Sequence, residues 1–159
     1  MNIQIVAVGK LKEKYLKDAV LEYAKRLSRF CRLDMVEAAE ERIPDNPSST
    51  EEEQAREKEA DRIRNALCKN TFSIVLDIKG EKLNSQEFAD KLSTWMLSGK
   101  SRISFIIGGS TGLDRKLVNK ADYSLCLSNM TFPHQLARVI LLEQIYRGFK
   151  IINNETYHK

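Results

Sequence analysis

Apolar runs of strand length alternate with stretches of helical spacing along this chain, and that alternation constrains its fold more than any other feature. Residues 3–8, Ile-Gln-Ile-Val-Ala-Val, read as a buried strand ending at Gly9; Leu16, Val20, Tyr23, Ala24 and Leu27 then recur at the spacing of one helix face. Residues 32–38 alternate as a second strand. A polar loop with Pro44 and Pro47 follows, and Thr50 with Glu53 forms a capping-box pattern opening a highly charged helix through about Leu67. Strands over Thr71–Ile78, Ile103–Ile107 and Tyr123–Leu127 then alternate with helices over Ser85–Leu97, Leu113–Lys120 and Pro133–Ile151, the last opening on a proline suited to a first turn. The expected class is α/β, a mainly parallel sheet flanked by helices.

A chain of 159 residues suits one domain, and 42% hydrophobic with 30% charged residues is globular composition. No apolar run approaches the ~20 residues that cross a bilayer, and the first residues lack the pattern of a secretory signal, so a cytoplasmic protein is expected. Cys31, Cys68 and Cys126 are odd in number and widely spaced, and only His134 and His158 are present, so neither a disulfide framework nor a metal centre is expected. The net charge of +4 is a mild basic excess compatible with a polyanionic partner. Lys10, Lys12, Lys14 and Lys17, then Lys25, Arg26, Arg29 and Arg32, cluster early; each cluster alone reads as a solvated helix face.

In sheets of this kind ligands sit beyond the carboxyl ends of the strands. Three loops stand there: Leu76-Asp77-Ile78-Lys79-Gly80, Gly108-Gly109-Ser110-Thr111-Gly112, and Leu127-Ser128-Asn129-Met130-Thr131-Phe132-Pro133-His134. The glycine-rich turn lets backbone approach a ligand. It matches neither the dinucleotide fingerprint nor the P-loop, and a purely structural turn fits it as well. The apolar residues of the last helix cover more than one face, which buries it or places it in an interface. Arg138 and Arg147, nine residues apart, point to opposite sides. Either both are surface arginines, or one pairs locally, as Glu143 and Arg147 can at i,i+4, while the other reaches a partner subunit or an anionic ligand.

Ile107-Gly108-Gly109-Ser110-x-Gly112, Ser128-x-Met130-Thr131-x-Pro133-His134, Glu143-Gln144-x-Tyr146-Arg147 and the ending Tyr157-His158-Lys159, together with the opening Ile5–Lys12, resemble the ribosomal large-subunit methyltransferase H family of the SPOUT superfamily. The resemblance spans essentially the whole chain. It implies a single SPOUT domain over 1–159, with a deep trefoil knot and the cofactor pocket in roughly 71–159. It further implies S-adenosylmethionine as cofactor, a homodimer without membrane or metal, and methylation of N3 of a pseudouridine in large-subunit ribosomal RNA on the assembled ribosome.

By position in the family, Leu76, Gly108, Leu127, Ser128, Asn129, Met130, Thr131 and Phe132 match the cofactor pocket. Arg147, Tyr157 and His158 are the catalytic candidates. Arg147 would stabilise charge on the base carbonyls, His158 would accept the proton, and Tyr157 would stack or hydrogen-bond. For His134 the expectation is a structural role at a helix start. Two rivals from other classes are a non-catalytic RNA-binding protein and an enzyme that uses a nucleotide or phosphate at the glycine-rich turn.

Overall fold

The computed structural model describes residues 1–157; His158 and Lys159, and with them the proposed proton acceptor, lie outside the described residues. Five strands, β1 (Asn2–Val8), β2 (Arg32–Ala38), β3 (Phe72–Lys82), β4 (Arg102–Ile107) and β5 (Tyr123–Cys126), form one sheet in the order β2-β1-β4-β3-β5. Every pairing is parallel. The central strands β1 and β4 are buried on both faces, as in a sheet covered on both sides, with Gln4 and Ser104 the polar exceptions, hydrogen-bonded to each other at 2.9 Å.

Helices α1 (Lys14–Leu27), α3 (Ser85–Leu97) and α5 (His134–Ile152) cover one face, where Val20, Leu27, Leu92, Trp95, Leu141 and Phe149 pack on Ile3, Ile5, Phe105 and Ile74. Helices α2 (Ser49–Ala66) and α4 (Arg115–Lys120) cover the other, placing Ala60, Ile63, Leu117 and Val118 against Val6, Val8, Val75 and Ile106. α5 lies between α1 and α3, which explains why its apolar residues exceed one stripe.

The cap of α2 lies two residues before the Thr50 and Glu53 pattern. The Ser48 side chain accepts from the Glu51 N–H, and Glu51 accepts in return from the Ser48 N–H. Pro47 stops the helix from reaching further back, and the earlier cap adds intrahelical bonds that a start at Thr50 forgoes. Pro133 is the N-cap of α5 and not its first residue, with an extended ψ of 136°. β3 extends four residues past Ile78, because Leu76 and then Glu81 both face Leu125, with residues 77–80 bulged between them. At the end of that bulge a Cβ on Gly80 would stand 2.7 Å from the carbonyl carbons of Ser124 and Leu125, so only glycine lets the β5 backbone pass.

Arg138 contradicts both readings of it. It is 1% exposed, and its guanidinium donates to the carbonyls of Val8 (3.0 Å) and Gly9 (2.8 Å) while pairing with Glu37 at 3.0 Å. It ties α5 to the carboxyl ends of β1 and β2 and reaches neither a partner nor a ligand. No helix among the described residues is long and apolar enough to cross a membrane.

Candidate functional site

The carboxyl ends of β3, β4 and β5 and the first turn of α5 enclose an open cavity of about 480 Å3, within the ordinary range for small-molecule sites. Its walls are the three loops that follow these strands. Leu76, Gly108, Leu127, Ser128, Met130, Thr131 and Phe132 all line it; Asn129, in the same loop, is not among the lining residues. The turn after β4 is closed by the Gly112 N–H donating to the Gly109 carbonyl at 3.1 Å, with Gly112 at φ +81°. A Cβ on Gly108 would meet the Gly112 carbonyl carbon and the Leu113 Cγ at 3.0 Å, so this glycine keeps the turn folded on itself. The loop after β5 also holds itself: the Met130 N–H donates to Ser128 Oγ at 2.9 Å, and the Cys126 thiol to the Ser128 carbonyl at 3.1 Å.

The charge of the cavity wall is informative. Among the described residues, no lysine or arginine lines it, and Asp77 is the one carboxylate that does, answered from outside by Arg115 at 2.9 Å. Burial holds the His134 imidazole below its ordinary titration range, against a smaller opposing pull from Glu40. Glu40 accepts from Ser110 Oγ at 3.3 Å and comes within reach of Gly9, on the side where His134 also approaches that glycine. His134 thus stands at the helix start, as expected, and also forms part of the wall, which the sequence did not reveal. Glu40 was equally hidden, being one of several carboxylates in Glu37–Glu41 with no spacing to single it out.

Arg147 and Tyr157 are brought together elsewhere. Arg147 donates to Glu143 Oε1 from Nε (3.0 Å) and from its terminal nitrogen (2.7 Å), and its guanidinium lies 4.8 Å from the Tyr157 ring centre. The Tyr157 hydroxyl donates to the same Glu143 oxygen at 3.4 Å, and its ring meets Tyr146 edge-on at 5.0 Å. Tyr23 and Arg26 of α1 extend the cluster, with the Arg26 guanidinium over both the Tyr23 and Tyr146 rings. The Glu143 hydrogen bonds hold Arg147 protonated, while burial, ahead of the Tyr157 and Glu143 charges, pushes the Tyr23 hydroxyl up.

This cluster does not line the cavity. Arg147 sits ten residues beyond Ala137, the last cavity residue on α5, which is ~15 Å along the helix axis at 1.5 Å per residue. Seven cofactor candidates therefore share one cavity, two catalytic candidates share another place, and a single chain keeps the groups apart.

A family profile described as "Predicted SPOUT methyltransferase" matches residues 1–158. Proteins named ribosomal RNA large subunit methyltransferase H are similar throughout: that of Acetivibrio thermocellus is 56% identical and that of Ruminiclostridium cellulolyticum 58%, each over the full length of both chains. Among solved structures, a tRNA (m1G37) methyltransferase from Aquifex aeolicus shares the fold at 15% identity, with a TM-score of 0.53 over 92% of this chain and 70% of that one.

Proposed function

The chain belongs to the SPOUT methyltransferase family, and from that premise we propose that it methylates large-subunit ribosomal RNA with S-adenosylmethionine, at N3 of a pseudouridine, on the assembled ribosome in the cytoplasm. The observation that carries this reading is that no lysine or arginine among the described residues lines the cavity, combined with a His134 whose burial disfavours its charged form and a carboxylate at Asp77. A cationic sulfonium meets no opposing charge there. A nucleotide or phosphate ester would meet no cationic side chain there among the described residues, only backbone groups of the glycine-rich turn and the start of α5, and a plain RNA-binding protein would have no use for a cavity of this size. The relatives' names, at more than half identity over the full length, supply the substrate.

Leu76, Gly108 and the stretch Leu127 to Phe132 would hold the cofactor, largely through backbone groups. When bound, the cofactor supplies an electrophilic methyl group. The chain's residues then orient the base, shed water and manage charge. N3 of the pseudouridine carries a proton that must leave as the methyl arrives. Arg147, pinned by Glu143, presents fixed positive charge to the base carbonyls where negative charge builds up; Tyr157 offers an aromatic face beside it, and His158 would take the proton.

The ~15 Å between Ala137 and Arg147 along α5 is what makes this a two-chain site. In a two-fold homodimer through α5, the Arg147 and Tyr157 of one protomer would face the cavity of the other. We also place the family's trefoil knot in roughly residues 71–159, a reading that rests on the family match over residues 1–158.

Calorimetric titration with S-adenosylmethionine, paired with light scattering, tests the proposal. One cofactor per chain and a mass about twice 18.3 kDa are expected. A protein that binds ATP but not S-adenosylmethionine would overturn the reading.

A further inference from the structure

The positive charge of the chain is concentrated in one place. Residues 10–32 carry eight basic and three acidic side chains, a net +5 against +4 for the whole chain, so the remaining residues are slightly acidic. Within α1, Lys14, Lys17 and Lys25 fall in an arc of about 80° at 100° per residue, turned away from the buried Leu16, Val20 and Leu27. Lys10 and Lys12 precede this arc and Arg29 and Arg32 follow it, all exposed. Among the described residues, Lys10, Lys12, Lys17, Lys25 and Arg32 form no ion pair, whereas most basic residues of α2 and α4 are paired with carboxylates. These lysines stand in water with their charge unanswered.

The ridge adjoins the aromatic cluster. Arg26 lies over Tyr23 and Tyr146, Arg29 over Phe30, and Tyr23 meets Tyr146 of α5 at 6.3 Å. A basic track interleaved with arginine-capped rings is suited to a strand of nucleic acid, with phosphates on the lysines and bases toward the rings. A membrane surface would need a broad apolar stripe beside the charges. The apolar stripe of α1 is turned into the core, leaving only Tyr15 and Leu21 outside.

We propose that the outer face of α1 with its flanking turns, Lys10 to Arg32, is the surface that holds the phosphate backbone of ribosomal RNA and leads it to the Tyr146, Arg147 and Tyr157 cluster. This rests on the reading of the chain as a ribosomal RNA methyltransferase and locates where its substrate docks.

Each lysine neutralising one phosphate of a single strand contributes ~0.7 to the slope of log K against log salt, or about fivefold at 0.1 M salt. The test replaces Lys10, Lys12, Lys17 and Lys25 by Gln together and measures binding to assembled ribosomes from 0.05 to 0.3 M salt. A matched variant with Lys69, Lys82, Lys100 and Lys120, all exposed and off the ridge, changed to Gln serves as reference. The ridge variant is expected to lose of the order of 10²- to 10³-fold in affinity at 0.1 M salt and about 3 in slope, with circular dichroism and S-adenosylmethionine affinity unchanged.

An unchanged slope, or an equal loss in the reference variant, overturns the ridge. An unchanged slope with lost binding to phosphatidylserine vesicles reassigns it to a lipid surface and overturns it equally. Loss of slope in a protein that never binds S-adenosylmethionine keeps the ridge and sinks the methyl-transfer reading, so the two failures are told apart.

Discussion

Replacing Gly80 by Ala tests whether the bulge of β3 builds the cavity. The added Cβ would lie 2.7 Å from the carbonyl carbons of Ser124 and Leu125 and 2.8 Å from the Leu125 nitrogen. Ordinary contact begins near 3.4 Å, so the β5 backbone must retreat by about 0.7 Å, the difference from 2.7 Å. The opposing atoms are main chain, with no rotamer to yield, which puts the cost at the upper part of the overpacking range, roughly 2–3 kcal/mol. At 2–4 °C per kcal/mol for a chain of this size, Tm falls by about 4–12 °C. β5 leads directly into the Leu127 to Phe132 wall, so S-adenosylmethionine affinity falls at least tenfold, which is about 1.4 kcal/mol.

Gly99→Ala is the comparison. Gly99 has φ +82° with open space around it, in the turn before β4 at the amino ends of the strands, opposite the cavity. Its strain costs ~1–2 kcal/mol and leaves cofactor affinity intact. Differential scanning calorimetry and titration calorimetry on both variants decide the matter. A Gly80→Ala protein that binds cofactor as tightly as Gly99→Ala would refute the role given to the bulge.

Further expectations concern the buried carboxylate, the thiols and the two-chain site. Glu59 is 4% exposed, its Oε2 has no hydrogen-bond partner among the described residues, and burial raises its pKa. A raised carboxyl pKa gives stability that is present below the ordinary 4.5 and is lost as pH rises through the folded value; Glu59→Gln should therefore raise Tm at neutral pH and lose that advantage below about pH 4.5, as pH-dependent calorimetry can show. Exposed Cys68 should react first with a thiol reagent at pH 8, while Cys31, buried and with its pKa pushed up to about 11, reacts only on unfolding; equal rates for the two would contradict the packing under α1. Deleting residues 157–159 should abolish methyl transfer to unmodified ribosomes and spare cofactor affinity, read by single-turnover assay and calorimetry. Mixing and reassociating Arg147→Ala with Gly80→Ala chains, assayed at a cofactor concentration far below the weakened affinity of Gly80→Ala so that neither variant turns over appreciably alone, should restore up to about a quarter of wild-type activity, because half the dimers are mixed and each carries one intact site; no recovery would place both groups of residues in one chain.

The sheet was legible because its signals are local. Ile3–Val8 and Ile103–Ile107 have to be buried strands, and the helix expected from Ser85 to about Leu97 agrees with α3, whose start the structure shows capped reciprocally by Asn84 and Glu87. The errors arose where a long-range contact decides. Nothing in Thr71–Ile78 announces that the strand resumes after a four-residue bulge, since the cause is the β5 backbone lying against Gly80. Arg138 looked like a surface or ligand-binding arginine because helical periodicity shows its direction and not that the Val8 and Gly9 carbonyls lie there. The cavity wall was read from family motifs. Its lack of cationic residues among those described, and the separation of Arg147 from it along α5, emerged only once the loops were placed in space.

The central claim is tested most directly by incubating the protein with assembled ribosomes from a strain lacking it and with S-adenosylmethionine carrying a labelled methyl group, followed by mass spectrometry of the digested RNA. The account predicts one labelled methyl per particle, on N3 of a single pseudouridine. Labelling of transfer RNA instead, or no transfer by a protein that binds the cofactor, would contradict it.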